Sequence, residues 1–543
     1  MARTPRVTVA GAGLAGITAA LRLAERGYQV TLYEQKPVLG GNLASRPAAD
    51  GVELDVYPHM FLIWYENFWQ LLQDAGVDRT EGFVPVQSVK ELRRGDYPKF
   101  TALTNTYSPR HLFRNVFLSG VLPPADAFLL WYASVDLLAE RLNPTMQLDD
   151  VSVTGFLRTR PYMTEQVAKA FDRWITMVWA IPSYRTSAHD YLTYLTYSVA
   201  SYDPPFLLAK GSAFQQVIGP LTAALDDRGV EVVREVQVTG VSYDDGRVTK
   251  IALQRVGFDP GSHTWVGDGQ HWTEDVDELV LAVPPQVLSS LVRSGGPGQS
   301  IVAAVPKLAK LARLRTEPIP ILHVYFTRKL RQMPAEPVGL FDSRLVLAFT
   351  DISQSWSGFD GGTVLSVSAS DAYALPGTGL QEDAFAILRE LAEYVDFDPG
   401  TRWGESSDID WERTRYEPND DEQLFINETG GDVWRPAATC EGVSNLYFAG
   451  NFCANRIGMM TVESAVASGL EAARAVVERR GVGARVEILE PPTGTDALFV
   501  WLRYVYAPYA LAAKAWSTGS DWRRSLQSLL TPTWSPARQR RDS

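Results

Sequence analysis

Gly11, Gly13 and Gly16 occupy the first, third and sixth positions of GAGLAG, between a β-branched apolar run and an apolar run of helical period. The first glycine allows a tight turn, the second lets a pyrophosphate approach the backbone, and the third lets a helix pack against a strand. A helix starting there offers free N–H groups and the positive end of its dipole to phosphates. Glu34 closes the next strand-like run, YQVTLYE, 18 residues after Gly16. A carboxylate at that place binds the ribose of an adenosine. These residues together point to a dinucleotide site rather than a structural turn.

Two further stretches decide between flavin and nicotinamide. Glu34 runs into QKPVLGGNLAS, with a second glycine pair at Gly40 and Gly41, and far downstream stands NLYFAGNFCANRIGMMTVESAVASGLEAA. The first resembles the extended FAD fingerprint of the amine oxidase and carotenoid desaturase superfamily, with Asn42 where a basic residue is usual. The second resembles that superfamily's closing flavin motif, with Gly450 in place and Asn451 for the usual aspartate. Three more segments resemble plant and cyanobacterial-type phytoene and zeta-carotene desaturases: Asp55–Gly76, Pro318–Leu330 and Trp434–Asn451, together with LVLAVPP at Leu279–Pro285. The resemblance covers about residues 6–480.

It implies non-covalent FAD, contacted by Gly11, Ala12, Gly13, Leu14, Ala15, Gly16, Glu34, Gln35, Gly40, Gly41, Asn42, Leu43, His59, Met60, Val238, Gly450, Asn451, Thr461, Val462 and Ala465. The helix opening at Thr461–Ala465 would face the flavin pyrimidine carbonyl, where its dipole stabilises negative charge. His59 and Arg328 are the catalytic candidates. His59 could move a proton or position the flavin, or be a hydrogen-bonded structural residue. Arg328 could bind a quinone or anionic acceptor, or form a surface ion pair. Tyr191, Tyr194 and Tyr197 recur every three residues, as the wall of an apolar tunnel or as ordinary core. Cys453 lies after the Gly450–Asn451 pair, which does not suit covalent flavin attachment. No Ser-His-Asp arrangement or metal-ligand spacing is evident, so no metal is expected.

The elements that position these residues follow from period and punctuation. Arg6–Ala10 and Tyr28–Glu34 read as strands around a helix that ends at Gly27. Glu66–Ala75, Leu112–Leu142, Val151–Ser201, Glu382–Val395 and Thr461–Arg479 read as helical. Gly229–Val256 reads as a hairpin about Asp244–Gly246, and Leu279–Pro284 and Asn445–Ala449 as buried strands. Ile319–Phe326, Leu345–Phe349 and Thr363–Ala369 read as a second sheet. The expected fold is α/β: a Rossmann-like FAD-binding domain of the amine oxidase and phytoene desaturase type beside a mixed-sheet and helical substrate domain. The expected boundaries are 1–95, 205–295 and 425–482 for FAD, 96–204 and 296–424 for substrate, and 483–543 as a C-terminal extension facing a membrane or partner.

The chain has 543 residues, 45% of them hydrophobic and 21% charged, which excludes wholesale disorder. With 51 Lys plus Arg against 63 Asp plus Glu, its net charge of −12 argues against a nucleic-acid partner. Cys440 and Cys453 are its only cysteines, too few for a disulfide framework, so a reducing compartment is expected. The segment MARTPRVTVAGAG does not read as a signal peptide. Leu122–Leu142 is interrupted by Asp126 and Asp136, and Leu498–Trp516 by Arg503, Pro508 and Lys514, so both read as amphipathic or buried helices. A cytoplasmic location is expected, with peripheral contact at the inner face of the membrane. The expected activity is hydride transfer from an apolar, isoprenoid or polyene substrate to flavin, with dioxygen or a quinone as electron acceptor. Flavin amine or amino-acid oxidation, redox-neutral isomerisation or dehydroxylation, and a flavin-bound partner protein without turnover stand as alternatives.

Overall fold

The computed structural model describes residues 5–48, 51–104, 113–115, 120, 122–201, 206–259, 264–295, 300–359, 361–493 and 496–530. A five-stranded parallel sheet runs in the order Glu231–Arg234, Gln29–Glu34, Arg6–Ala10, Glu278–Leu281, Leu446–Phe448. Its register sets Ala10 beside Tyr33 and Leu281, and Leu281 beside Phe448. The strand ends therefore lie level, and the crevice outside the carboxyl ends of an open parallel sheet is where such folds bind ligands. Val7, Val9, Leu32, Val280 and Tyr447 are buried, as expected where helices cover a parallel sheet. Helices Leu14–Ala24 and Val462–Arg480 cross at a backbone contact: a Cβ on Gly469 would come within 2.3 Å of the Ala15 carbonyl oxygen. The small residues of the second helix exist for this approach.

Strands Val236–Asp244, Arg247–Asp259 and Thr264–Asp275 form a three-stranded antiparallel sheet, the first two being the expected hairpin. A seven-stranded mixed sheet runs Arg415–Glu417, Ile321–Tyr325, Val364–Ala369, Leu347–Asp351, Val338–Leu340, Ser88–Leu92, Thr101–Thr104. Its Val338–Leu340 and Ser88–Leu92 strands pair in parallel. Ser88–Leu92 thus joins this sheet, although it falls within the expected first FAD segment.

The helical stretch expected over 151–201 is broken into Val153–Arg158, Glu165–Trp179 and Ala188–Ala200. Ser152, Thr164 and Ser187 each accept a backbone N–H at a helix start, so side-chain caps rather than continuous periodicity set these boundaries. Residues 112, 116–119 and 121 of the expected Leu112–Leu142 stretch lie outside the described residues; its described part includes helix Pro124–Ala139. The C-terminal extension contains a long helix, Asp496–Leu530, packed on Pro124–Ala139. Charges that interrupt the two apolar runs meet here. Arg503 Nε lies 2.6 Å from Asp136 Oδ1, and Arg503 also pairs with buried Glu140. Among the described residues, no helix is long and apolar enough to cross a membrane.

Candidate active site

A cavity of about 470 Å³ opens at the carboxyl end of the parallel sheet and continues to the seven-stranded sheet, a size typical of a ligand site. The glycine turn forms one end. Gly11 has φ +96°, and its N–H donates to the Tyr33 carbonyl at 2.8 Å. A Cβ there would lie 2.4 Å from the Ala282 carbonyl oxygen, and one on Gly16 would lie 1.9 Å from that of Gly11. At Gly13 a Cβ would meet nothing within 4 Å, because it would project into open space. This cradle, kept open by the absence of a side chain, fits a dinucleotide pyrophosphate. The second glycine pair seats against it, with the Gly40 N–H donating to the Ala12 carbonyl at 2.8 Å.

Glu34 lines the cavity and braces the turn. Its carboxylate accepts the N–H groups of Ala12 at 2.8 Å and Lys36 at 3.0 Å. Burial raises its pKa while these two N–H groups lower it. A carboxylate has about four acceptor positions, so two remain for a ribose. Lys36 is the sole cation among the described lining residues, and it is buried against Asp421 at 2.9 Å and against Glu422. A pyrophosphate in this cradle would be held by backbone N–H groups and a helix end, which suits Asn42 in place of a basic residue.

At the other end Thr461 caps helix Val462–Arg480, its hydroxyl accepting the Ser464 N–H at 3.0 Å. Thr461, Val462 and Ala465 line the cavity, as do Gly450 and Asn451. The sequence reading missed Glu463. It turns away from the cavity and accepts the N–H groups of Asn67 and Phe68, each at 2.9 Å, at the start of helix Glu66–Asp74. Burial pushes its pKa up to about 7. A Glu two residues after the Thr461 cap, in an otherwise small and apolar first turn, was the available signal. Arg435 was also undervalued: its nearly covered guanidinium donates to the Gly458 carbonyl at 2.8 Å and to Asp190 at 2.7 Å, fixing the segment that leads into helix Val462–Arg480.

Leu14, Ala15, Gln35, Gly41, Leu43, His59, Met60 and Val238 line the cavity; Ala12 and Gly16 support it from behind. His59 Nδ1 lies 2.8 Å from the Tyr57 carbonyl oxygen. A carbonyl only accepts, so Nδ1 carries the proton and Nε2 is the unprotonated nitrogen. Burial lowers the pKa of His59 to about 4, keeping the ring neutral. Arg328 is not in the site: its half-exposed guanidinium pairs with Asp408 at 3.2 Å and donates to the Asp396 carbonyl at 3.1 Å. Its catalytic assignment is corrected to a surface ion pair; a strand-end arginine cannot be told from a site arginine by sequence alone. Of the tyrosine stripe, Tyr194 lines the cavity, while buried Tyr191 packs on Trp179 with ring centroids 5.7 Å apart. Cys453 is a free buried thiol whose pKa burial raises.

Residues 14–477 match the model of the flavin containing amine oxidoreductase family. The chain belongs to this family. It is an FAD-dependent oxidoreductase. The chain is 27% identical over 524 residues to the carotenoid phi-ring synthase of Streptomyces griseus, covering 91% of this chain and 92% of that one. It is 24% identical over 284 residues to the zeta-carotene desaturase of Zea mays, covering 46% of this chain and 47% of that one. Its fold is similar to that of an oxidoreductase from Methanosarcina mazei, with TM-score 0.60, 14% identity, and 87% and 100% of the two chains covered. It is also similar in fold to cyclohexylamine oxidase from Brevibacterium oxydans, with TM-score 0.56, 17% identity, and 88% and 100% covered.

Proposed function

We propose that the chain dehydrogenates an apolar polyene or other isoprenoid. The observation that carries this reading is the distribution of charge along the cavity. Among the described lining residues, the charged groups are Glu34, Lys36, Asp421 and Glu422, gathered where Lys36 pairs with both acids. Toward the seven-stranded sheet the walls are Met177, Val178, Trp179, Tyr194, Ile321, Val338, Phe349 and a few hydroxyls, with no ionised group. An amine or amino acid would need a counter-charge in that chamber, whereas an apolar chain gains by leaving water. The phi-ring synthase and desaturase relatives support the same substrate class.

FAD, when bound, supplies a hydride acceptor that dioxygen or a quinone regenerates. The protein's part is positioning and proton removal. The apolar wall excludes water and holds the substrate carbon, and His59 Nε2 accepts the proton from the neighbouring carbon as the double bond forms. The opening of helix Val462–Arg480 offers its N-terminal dipole to negative charge at that end of the cavity. The test is anaerobic mixing of FAD-loaded protein with a panel of polyenes and amines. Bleaching of the flavin absorbance by polyenes supports the reading; bleaching by amines alone overturns it.

We also propose that helix Asp496–Leu530 rests on a membrane. Its inner face buries Phe499, Arg503, Ala510 and Ser517, while Leu498, Trp501, Tyr504, Tyr509, Leu511 and Trp516 are exposed at helical spacing. Among the described side chains of residues 497–519, no exposed one is charged. Exposed Trp and Tyr beside aliphatics suit the bilayer interface, where an apolar substrate would be dissolved.

A further inference from the structure

The seven-stranded sheet has two unlike faces. One buries Leu322, Leu347, Leu365 and Val367 with Ile387 and Leu388 of helix Leu380–Leu391. The other carries the alternate residues, and the register lines them up across the strands. Ile321 pairs with Ser368, Ser368 with Ala348, Ala348 with Gly339, and Gly339 with Glu91. Alternation alone would set a face of Ser, Ala and Gly against water. Instead Gly339 is buried, and Ile321, Ser368, Ala348 and Gly339 all line the cavity. Neighbouring strands lie about 4.8 Å apart, so the three steps from Ile321 to Gly339 make a trough about 14 Å long.

Helix Glu165–Trp179 roofs the far end of this trough. Its last residues, Met177, Val178 and Trp179, line the cavity. The Ser370 hydroxyl donates to the Met177 carbonyl at 3.2 Å and ties the helix end to the sheet. One turn back, Arg173 donates to Glu91 at 3.0 Å, and its guanidinium carbon lies 4.3 Å from the Phe341 ring centroid. Glu91 follows Gly339 in the row, so this ion pair stands behind the last position of the trough. Roof and floor meet there: a Cβ on Gly339 would lie 2.8 Å from Met177 Sδ and 3.2 Å from Glu91 Oε1.

We infer that Met177 over Gly339 is the end stop of the substrate chamber and selects chains by length, an inference that rests on the polyene reading above. The reasoning is steric. An apolar chain laid across the row gains with each carbon that leaves water, and the small residues of the row leave depth for it. At Met177 that gain stops, because a further carbon would have to displace a side chain whose helix is tied to the sheet through Ser370 and Glu91. One methylene too many or too few in an apolar pocket changes kcat/KM by roughly 10- to 200-fold. Gly339 is where the floor can be raised. Its φ is not positive, so the backbone accepts a side chain there, and that side chain takes its space from the end of the chamber. Met177 is where the stop can be withdrawn, since the Arg173–Glu91 pair still fixes the helix once the thioether is gone. Sequence reading passed over Gly339, whose strand Val338–Leu340 is three residues long.

The test uses full-length, FAD-loaded protein and a graded series of acyclic polyenes, each one isoprene unit longer than the last. Quenching of tryptophan fluorescence gives the dissociation constants, and anaerobic rapid mixing gives the rates of flavin reduction. The wild type should show a cut-off, with the longest accepted chain favoured over the next by about 10-fold or more. Gly339→Val should move that cut-off to a shorter chain and Met177→Ala to a longer one, each changing the ratio between adjacent lengths by about 10-fold or more. A wild type that takes polyenes without a cut-off, or a cut-off that either variant leaves in place, overturns the end stop and leaves the polyene reading standing. A wild type that binds no polyene and is bleached by none overturns both. Should Gly339→Val fail to hold FAD, Met177→Ala and Met177→Phe decide: opposite shifts of the cut-off support the stop, and any other result overturns it.

Discussion

Gly13 and Gly16 lie three residues apart, yet a methyl group should act oppositely at each. At Gly16 a Cβ would sit 1.9 Å from the Gly11 carbonyl oxygen and 3.2 Å from Ala282 Cβ. Helix Leu14–Ala24 would have to lift from the sheet. Overpacking typically costs about 1–3 kcal/mol, and a backbone clash this close belongs at or above the upper end. The gain of about 1 kcal/mol in helix propensity from Gly to Ala does not offset it. Gly13 has φ −67° and ψ 172°, which alanine adopts without strain, and its Cβ would meet nothing within 4 Å. The flavin-free protein should keep its stability or gain about 0.4–1 kcal/mol. The methyl would, however, stand in the pyrophosphate's place. Each charged hydrogen bond lost is worth about 1.5–3 kcal/mol, or roughly 10- to 150-fold in FAD affinity. The assays are thermal unfolding of deflavinated protein and FAD titration by fluorescence. Gly13→Ala should melt like wild type and bind FAD at least 10-fold more weakly; Gly16→Ala should melt lower even without FAD. Normal FAD affinity in Gly13→Ala, or equally lowered melting in both, would refute this account of the cradle.

His59→Ala should slow flavin reduction by about 10²-fold or less, the low end of acid–base effects; a variant dead despite full FAD would show that the base dominates. Because burial lowers the His59 pKa from 6.5 to about 4, the unfolded chain takes up a proton more readily, and stability should fall as pH drops from 6.5 through 4. A thermal-melt profile of His59→Gln that keeps the whole of that acid slope would contradict the linkage. Val462→Asp should slow flavin reduction more than His59→Ala, since it sets a negative charge at the helix opening that lines the cavity; rapid mixing after an FAD assay measures it, and near-normal reduction counts against the role given to that helix. In liposome flotation the wild type should rise with the lipid and a Trp501→Glu/Tyr504→Glu/Trp516→Glu variant should stay at the bottom; a wild type that never floats removes the membrane reading.

The glycine turns, Glu34 and the helix at Val462 were legible because each rests on local backbone demands: a positive φ at Gly11, a forbidden Cβ at Gly16, an N-cap at Thr461. Strands Arg6–Ala10, Gln29–Glu34, Glu278–Leu281 and Ile321–Tyr325 were legible for the same reason, as short β-branched runs with turn residues beside them, whereas Ser88–Leu92, Thr264–Asp275 and Val338–Leu340 were not read. What escaped depends on partners distant in sequence. Arg503 and Asp136 read as interruptions of apolar runs, yet they meet across the helix pair and neutralise each other. Arg328 stands at a strand end that resembles a site, and only the position of Asp408 shows that it faces outward. Glu463 looks like an ordinary first-turn acid until Asn67 and Phe68 are found against it.

The order of strands in the parallel sheet has a consequence for how the protein is made. Arg6–Ala10 leaves the ribosome first, but the sheet beyond its partner Glu278–Leu281 is completed only by Leu446–Phe448, about 440 residues later. At about 5–20 residues per second, translation of that interval lasts roughly 20–90 s. Throughout that delay the first strand and the apolar side of helix Leu14–Ala24 lack their final cover, since helix Val462–Arg480 emerges later still. Gly450 and Thr461, which close the cavity, arrive in the same late stretch. The cavity that would hold the flavin is therefore complete only once Gly450 and Thr461 have been made.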